Sequence, residues 1–407
     1  MKNRNVESVV SSIMFSLYPV LTIPIILKGM AKGKFFAFIL FAFFLSFLAY
    51  LYPPTGDLYR YALDYYTYKG VDFTDFIMLA SLKMDFFFPF ILWTLGQFNV
   101  PCDFSRLIYV FISSVLIFYI FCDSTKEVRQ RDSRLYKLLL IFVLLIVDYI
   151  SFAYRFSFSA VLFSFGVYSI FITKRFFKGF FFLLIACMNH FAFIPILIIV
   201  VFVKFTKYQG NRLFSSILFC FILFFPFNMA SDILYFIPVG GEVLSHLQVY
   251  TEGHMVSDFL NEHSAKYLIG RYINESRTWL LMLFYLISFK KTHLSGIITI
   301  YLVFLSLVSF SSFMKWRYES ALFYILFLYL LYVLQINQSL FKKRIILFFV
   351  VGFICFFSSF WTRRREISIS NEYKLLFPTY SILSNEYDEK WMNQNVMSDG
   401  FPLNKID

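Results

Sequence analysis

Cysteine is scarce in this chain. There are five in 407 residues, at Cys102, Cys122, Cys187, Cys220 and Cys355, and no two form a Cys-x-x-Cys pair. That spacing argues against a disulfide framework and against a zinc site. The sequence also lacks a Gly-rich phosphate loop, a Walker motif and any cluster with metal-ligand spacing. Intracellular nucleotide chemistry therefore has no support, and no cofactor is called for. Internal repeats are missing too, which weighs against a transporter built from inverted halves. No small-residue cleavage pattern follows the first apolar run, Ser8 to Leu27, so that run reads as a retained span and not a signal peptide.

What the chain has in excess is apolar surface. It is 59% hydrophobic and carries 59 phenylalanines, whereas soluble domains average about 45–50% apolar. A water-soluble core cannot absorb that surface, so the expected fold class is an all-α polytopic integral membrane protein. The formal net charge of +12 would point to nucleic acid in a soluble domain. Here the Lys and Arg residues sit in short loops between apolar runs, where they act as topology signals.

Apolar runs recur at 8–27, 35–52, 84–98, 104–122, 136–150, 156–173, 177–189, 191–203, 213–230, 278–289, 296–314, 318–334 and 345–361. They predict about 11–13 transmembrane or re-entrant helices. The membrane domain spans 1–361, with external loops 53–83 and 231–277, and a polar tail covers 362–407. A crossing needs roughly 20 residues, so several runs must be tilted, longer than drawn, or half-helices buried in protein. The loop holding Lys28, Lys32 and Lys34 and the loop holding Lys126, Arg129, Arg131, Arg134 and Lys137 are both expected inside. An odd number of crossings after 35–52 satisfies both. The run 84–98, with Pro89 inside it and Pro101 after it, is the better candidate for a segment that does not cross. Lys174, Arg175 and Lys178 then fall inside, as do Lys204, Lys207 and Arg212, then Lys290 and Lys291, then Lys342, Lys343 and Arg344. The same count puts Arg363, Arg364 and Arg365 outside, against the charge bias.

That orientation gathers Asp57, Arg60, Arg155, His190, the 231–277 loop with His246, His254, His263, Arg271 and Arg277, and Lys315 and Arg317 on the external face. Ionisable groups at such positions are functional candidates. In "YPPTGDLYRYALDYYTYKG", Pro53 and Pro54 end a helix, Gly56 allows a tight turn, and a short interfacial helix follows from Leu58 to Tyr68. Its tyrosines are ordinary interface anchors, and their rings also make platforms for sugars. In "SFAYRFSFSAVLF", Arg155 opens a span, either snorkelling to the interface or clamping an anion with its planar fork. In "LLIACMNHFAFIPIL", His190 interrupts a run of about 27 apolar residues with basic clusters at both ends. A turn at Asn189–His190 keeps both clusters inside. His190 is then a packing residue, a general base or an oxygen ligand. In "SSFMKWRYESALF", Lys315, Arg317 and Glu319 alternate with aromatics at the start of a span.

These stretches, in this order, resemble the EpsG-type family of Wzy-like bacterial polysaccharide polymerases. The family has Gly-(Thr)-Asp followed four residues later by Tyr, which here reads "TGDLYRY" with Asp57 and Tyr61, Thr55 and Gly56 standing in reversed order. It has an Arg opening a span after a short external turn, here Arg155, with Phe156–Ser157 in place of the usual Gln-Gly. It has an Ala-rich span ending in His with a small residue two on, here His190 and Ala192. The resemblance covers about residues 10–210.

It implies a glycosyltransferase of O-antigen, capsule, lipopolysaccharide or exopolysaccharide biosynthesis, in the bacterial cytoplasmic membrane with its active face outside. A GT-C-like arrangement of helices is compatible with this. Donor and acceptor would both be undecaprenyl-diphosphate-linked oligosaccharides. The other partners would be the lipid bilayer, a chain-length regulator and a flippase, with no nucleic acid and no metal. Asp57 and His190 are the expected catalytic residues. Arg155, Lys315 and Arg317 would hold the diphosphate, and Arg60, Tyr61 and Tyr65 would line the sugar path. The rival readings are a lipid-linked oligosaccharide flippase and an O-antigen ligase.

Overall fold

A computed structural model describes residues 2–81, 85–147, 154–224, 265–309, 312–336, 345–397, 400 and 403. His246, His254, His263, Asp148, Lys342 and Lys343 lie outside the described residues. Among the described residues, 83% are helical and none lies in a strand. Among the described residues, three helices are long and apolar enough to cross a membrane: Phe104–Ser124, Tyr154–Phe171 and Arg317–Ile336. The other apolar helices are shorter. The chain divides into two compact units. The first comprises Met1–Gly166, Phe176–Phe193 and Ser359–Asp407, and the second Val167–Arg175 and Ile194–Ser358. The tail belongs to the first unit.

The first unit begins with α1 (Lys2–Leu17) and α2 (Pro19–Ala31). The run 8–27, expected as one span, is broken at Tyr18, whose φ of −148° and ψ of 89° are extended. A residue before proline is pushed out of the helical region by the proline ring, and Pro19 supplies that push. The two helices lie side by side. Ser8 and Ser11 line one cavity with Gly29 and Lys32, while Phe15 at the far end of α1 stacks on Phe47.

From Phe35 to Tyr50 runs α3, which pairs antiparallel with α7 (Phe104–Ser124). Ring contacts mark the register: Tyr50 on Phe104, Phe43 on Phe111 at 4.2 Å, and Phe38 on Phe118. Such pairs contribute about 0.5–1.5 kcal/mol each beyond area burial. The chain between α3 and α7 forms α4 (Asp57–Tyr68), α5 (Phe73–Ser81) and α6 (Phe87–Gln97). At 1.5 Å per residue, α6 is about 16 Å long, half of what a bilayer core requires. The two basic loops meet at one end of the unit. After α7 come α8 (Lys126–Arg131) and α9 (Ser133–Val147). Arg129 donates to the Gly33 carbonyl at 2.8 Å, and Tyr136 to the Met30 carbonyl at 2.9 Å. α3 leaves this basic end and α7 returns to it, with α4, α5 and α6 between them in the chain.

Next come α10 (Tyr154–Phe171) and α11 (Phe176–Asn189), then a 3-10 turn at Phe191–Phe193 and α12 (Ile194–Thr206). The long apolar run around His190 is thus broken where the basic clusters required. In the second unit, α12 is followed by α13 (Arg212–Phe224), α14 (Ala265–Ile287), α15 (His293–Val308), α16 (Ser312–Ile336) and the part of α17 (Ile345–Ser368) up to Ser358. Residues 265–277, expected as part of an external loop, are the first half of α14. Their polar side chains lowered the apolar signal without breaking the helix. Buried hydroxyls tie this unit together: Ser215 and Thr299 lie 2.8 Å apart, and Tyr285 donates to the Ser295 carbonyl.

The tail after α17 docks at the end of the first unit opposite the basic loops. It carries a 3-10 turn at Glu372–Leu376, α18 (Thr379–Leu383) and α19 (Glu389–Asn395). Tyr50 donates to the Asn385 carbonyl at 2.6 Å, and Tyr387 to the Leu51 carbonyl at 2.5 Å. The Gly56 amide donates to the Gly400 carbonyl at 2.8 Å. The tail therefore shares an end with the "TGD" turn.

Candidate functional site

The site is built around the turn from Leu51 to Asp57. Pro53 and Pro54 cannot continue α3, and Gly56 takes a φ of 56°, a left-handed value that glycine adopts without a Cβ clash. Below the turn, Arg106 is buried in an ion pair with Asp103 and donates to the Tyr52 carbonyl at 2.6 Å. Tail and Arg106 together set where α4 starts.

Asp57 is the first residue of α4. It pairs with Arg60 one turn on at 2.8 Å, and both side chains are exposed. An exposed pair of this kind contributes at most about 1 kcal/mol, so it leaves both groups available to a ligand. Tyr61 turns inward, edge-on to Phe88 at 4.7 Å and to Tyr154 at 5.8 Å. Tyr65 is buried, and its hydroxyl donates to the Val100 carbonyl at 3.0 Å. Burial pushes its phenol up to about 12, with Cys102 adding to the shift. Tyr65 therefore anchors α4 on the 98–101 loop and does not face outward like Asp57.

Arg155 sits at the start of α10 and joins three segments. Its guanidinium lies 5.5 Å from the Tyr61 ring centre and 5.1 Å from that of Phe88. It forms an ion pair with Asp85, and its Nε donates to the Asn189 carbonyl at 3.4 Å. Asp85 in turn accepts from the Phe191 amide at 2.7 Å. Asn189 is saturated. It accepts from Tyr109 at 2.5 Å, and its amide donates to Ser159 at 2.7 Å and to the Arg155 carbonyl at 3.1 Å. Helices α7, α10 and α11 are pinned at this one side chain.

Immediately after Asn189, His190 is buried among Phe156, Phe191 and Phe193, with ring centres 5.5–6.2 Å away. Its Nδ1 accepts from the Ala192 amide at 3.4 Å. In a neutral imidazole that acceptor role places the proton on Nε2. No known protein family, curated protein or solved structure matches this chain.

The four expected residues Tyr61, Arg155, His190 and Asp57 thus share one end of the first unit, the first three in one contiguous group. Lys315 and Arg317 belong to the second unit. Lys315 is buried there, donating to the Ile222 carbonyl at 3.0 Å and pairing with Glu319 at 3.7 Å. Arg317, two residues along the helix and about 200° around it, is half-buried. Arg277 is fully buried beside the Phe323 ring, 5.4 Å from its centre. Among the described residues, no group of three His, Cys, Asp or Glu could hold a metal.

Sequence reasoning missed Asp85 and the role of Asn189. Asp85 had one readable signal: it is a lone acid opening the aromatic run "DFFFPF". A carboxylate there needs a cation, and Arg155 is the cation it found.

Proposed function

We propose that this chain is a membrane glycosyltransferase of the Wzy-like polymerase type. It would join undecaprenyl-diphosphate-linked oligosaccharide units at the external face of the bacterial cytoplasmic membrane, with 11–13 crossing or re-entrant helices. The observation that carries the reading is the convergence at Arg155. Three sequence-distant stretches, "TGDLYRY", "AYRFSFSAVLF" and "ACMNHFAF", meet there through the Tyr61 ring, the guanidinium and the Asn189 carbonyl.

The chemistry suits that group. An acceptor hydroxyl oxygen attacks the anomeric carbon of the donor glycan, the bond from that carbon to the diphosphate oxygen breaks, and undecaprenyl diphosphate leaves with the electron pair. The hydroxyl proton is lost to a base or to water. The leaving group is already good, so the main need is fixed positive charge where negative charge develops. Arg155 is half-desolvated and aromatic-walled, and its planar fork matches phosphate oxygens. Asp85 holds that fork in place until a diphosphate shares it. His190, with its proton on Nε2, suits donation to a phosphate or sugar oxygen better than proton removal. Asp57, exposed beside Arg60, is the group to orient or deprotonate the acceptor, and Tyr61 offers a ring edge to the sugar. Lys315 already has internal partners, so Arg155 takes the leading role on the diphosphate.

The test is surface glycan length in a deletion strain complemented with wild type, Asp57→Asn, Arg155→Ala or His190→Ala, with protein level checked. The expected result is a single repeat unit on the acceptor in place of a ladder. Accumulation of lipid-linked repeats inside the cell, with no surface glycan, would favour the flippase. Full repeats polymerised on the lipid but never transferred to the lipopolysaccharide core would favour the ligase. A normal ladder from well-expressed variants removes these residues from the chemistry.

A further inference from the structure

The two halves of the tail expose opposite chemistry. From Tyr373 to Leu383 the exposed large side chains are Tyr373, Leu376, Phe377, Tyr380 and Leu383, with Tyr380 76% exposed, while Leu375 and Ile382 are buried. Lys374 is the one charged residue in that stretch, and its ammonium donates to Asn385 Oδ1 at 2.8 Å. From Ser384 onward the exposed positions include Glu386, Asp388, Glu389 and Lys390. We propose that residues 373–383 are a membrane-interface anchor, seated between the headgroups and the upper acyl chains of the bilayer, with the 386–390 stretch in water.

The surroundings of the anchor identify lipid as what covers it. Thr379 donates to the Phe15 carbonyl at 3.2 Å, which sets α18 beside the turn between α1 and α2. The 3-10 turn at Glu372–Leu376 packs on α2. Leu17, Tyr18 and Leu21 at the α1–α2 turn are exposed as well, and Ile13 continues the row one turn along α1. The anchor therefore extends an apolar face of the α1–α2 pair. Soluble monomers rarely leave a large contiguous apolar patch open to water. This one runs into the apolar helices on one side and meets acids on the other, which is the order of a membrane boundary. Its aromatics fit that depth. Tyr18, Tyr373 and Tyr380 each carry an apolar ring and a polar tip, the combination that the headgroup level favours. Segments lying in this plane bury their apolar face about 5–10 Å into the boundary.

Asn385 joins the anchor to the turn before α4. Its Oδ1 accepts from Lys374 and, at 2.7 Å, from the side-chain amide of Asn371, and its carbonyl accepts from Tyr50 at 2.6 Å. The depth of the anchor thus sets the height of the Leu51–Asp57 turn above the acyl chains. This inference rests on the membrane reading of the apolar helices and is independent of glycosyl transfer.

Full-length protein in phosphatidylcholine nanodiscs would be labelled with two photoactivated diazirines, one carried on a phospholipid acyl chain and one dissolved in water. Insertion sites are read by peptide mass spectrometry. Residues 373–383 are expected to take the acyl-chain carbene and to be protected from the soluble one, and 386–390 to do the reverse. Phe377→Glu combined with Tyr380→Glu should abolish acyl-chain labelling of 373–383. Phe181, exposed on α11, should keep its labelling in that variant, as a check that the protein is still folded and inserted. The wild-type pattern decides the proposal even where the variant fails that check. Labelling of 373–383 from water alone overturns the anchor. Protection from both reagents means that protein, a second copy of the chain included, covers the patch, and overturns lipid as its partner. Unchanged acyl-chain labelling in a folded double variant overturns the role of these side chains.

Discussion

Replacing Asp85 by Asn removes one charge and keeps a carbonyl oxygen for the Phe191 amide. The change therefore isolates the ion pair with Arg155. The two side chains are 13% and 17% exposed, well inside the range where solvent screening is weak. Breaking a fully buried pair from one side costs about 3–5 kcal/mol. Partial exposure reduces that, and Arg155 keeps its contacts with the Tyr61 and Phe88 rings and with the Asn189 carbonyl, so about 2–3 kcal/mol is expected. Arg155→Gln leaves Asp85 with the Phe191 amide as its remaining partner and should cost a similar amount. The double variant carries no stranded charge. Its loss should fall short of the summed single losses by about 1.5–2.5 kcal/mol, the coupling of a direct charged contact. The assay is a double-mutant cycle from equilibrium unfolding in mixed micelles, with a surface-glycan ladder run on the same four proteins. A coupling under about 0.5 kcal/mol, the limit of simple additivity, would refute Asp85 as the group that holds Arg155. If the pair is coupled but Asp85→Asn keeps a full ladder, Asp85 supports the fold without setting the fork for catalysis.

Tyr387→Phe should cost about 1 kcal/mol in unfolding experiments. It strips a donor from the buried Leu51 carbonyl, which retains a longer bond from the Asn371 amide. Gly166→Ala should cost about 1–3 kcal/mol, because the new Cβ would meet the Gly179 carbonyl at 2.8 Å and the Leu183 side chain at 2.7 Å. A wild-type midpoint would mean that α10 and α11 can move apart. Tyr65 should ionise late. Its folded-state phenol is raised to about 12, above the ordinary value near 10. The stability it contributes is therefore complete below about pH 10 and is lost as pH rises toward 12. Tyrosinate absorbance of wild type minus Tyr65→Phe should show that delayed step; a step at the ordinary value would contradict the burial of Tyr65.

Charge placement made much of the helical layout readable. The break at His190 followed from basic clusters flanking a run that could be one long helix or two short ones. The same logic asked for the basic loops around Lys34 and Lys126 to share a side, and the Arg129–Gly33 contact brings those two loops together. The break at Tyr18 was also encoded, in the Tyr18–Pro19 step, but apolar content masked it, since hydropathy is blind to backbone geometry. Residues 265–277 misled for the opposite reason, because Arg271, Asn274, Glu275 and Arg277 dilute hydropathy while leaving helix propensity intact. At the site, Arg155, Tyr61 and His190 were legible because each is chemically conspicuous in an apolar setting. Asp85 and Asn189 were not, since their importance lies in pairings across 70 and 80 residues that local patterns do not encode. The docking of the tail was illegible for the same reason.

That docking bears on the order in which the molecule is assembled. Tyr50 and Asn385 are 335 residues apart in sequence, so the turn before Asp57 gains its last supports only after the chain as far as Asn385 has emerged from the ribosome. A chain that stalls or is clipped before Asn371 would still form α3, α7 and the Arg155 group, but the turn before α4 would lack the bonds to Asn385, Tyr387 and Gly400. The fold thereby ties the start of α4 to the late synthesis of the 371–400 segment: a fragment can be largely packed, yet still lack the strap that sets that start.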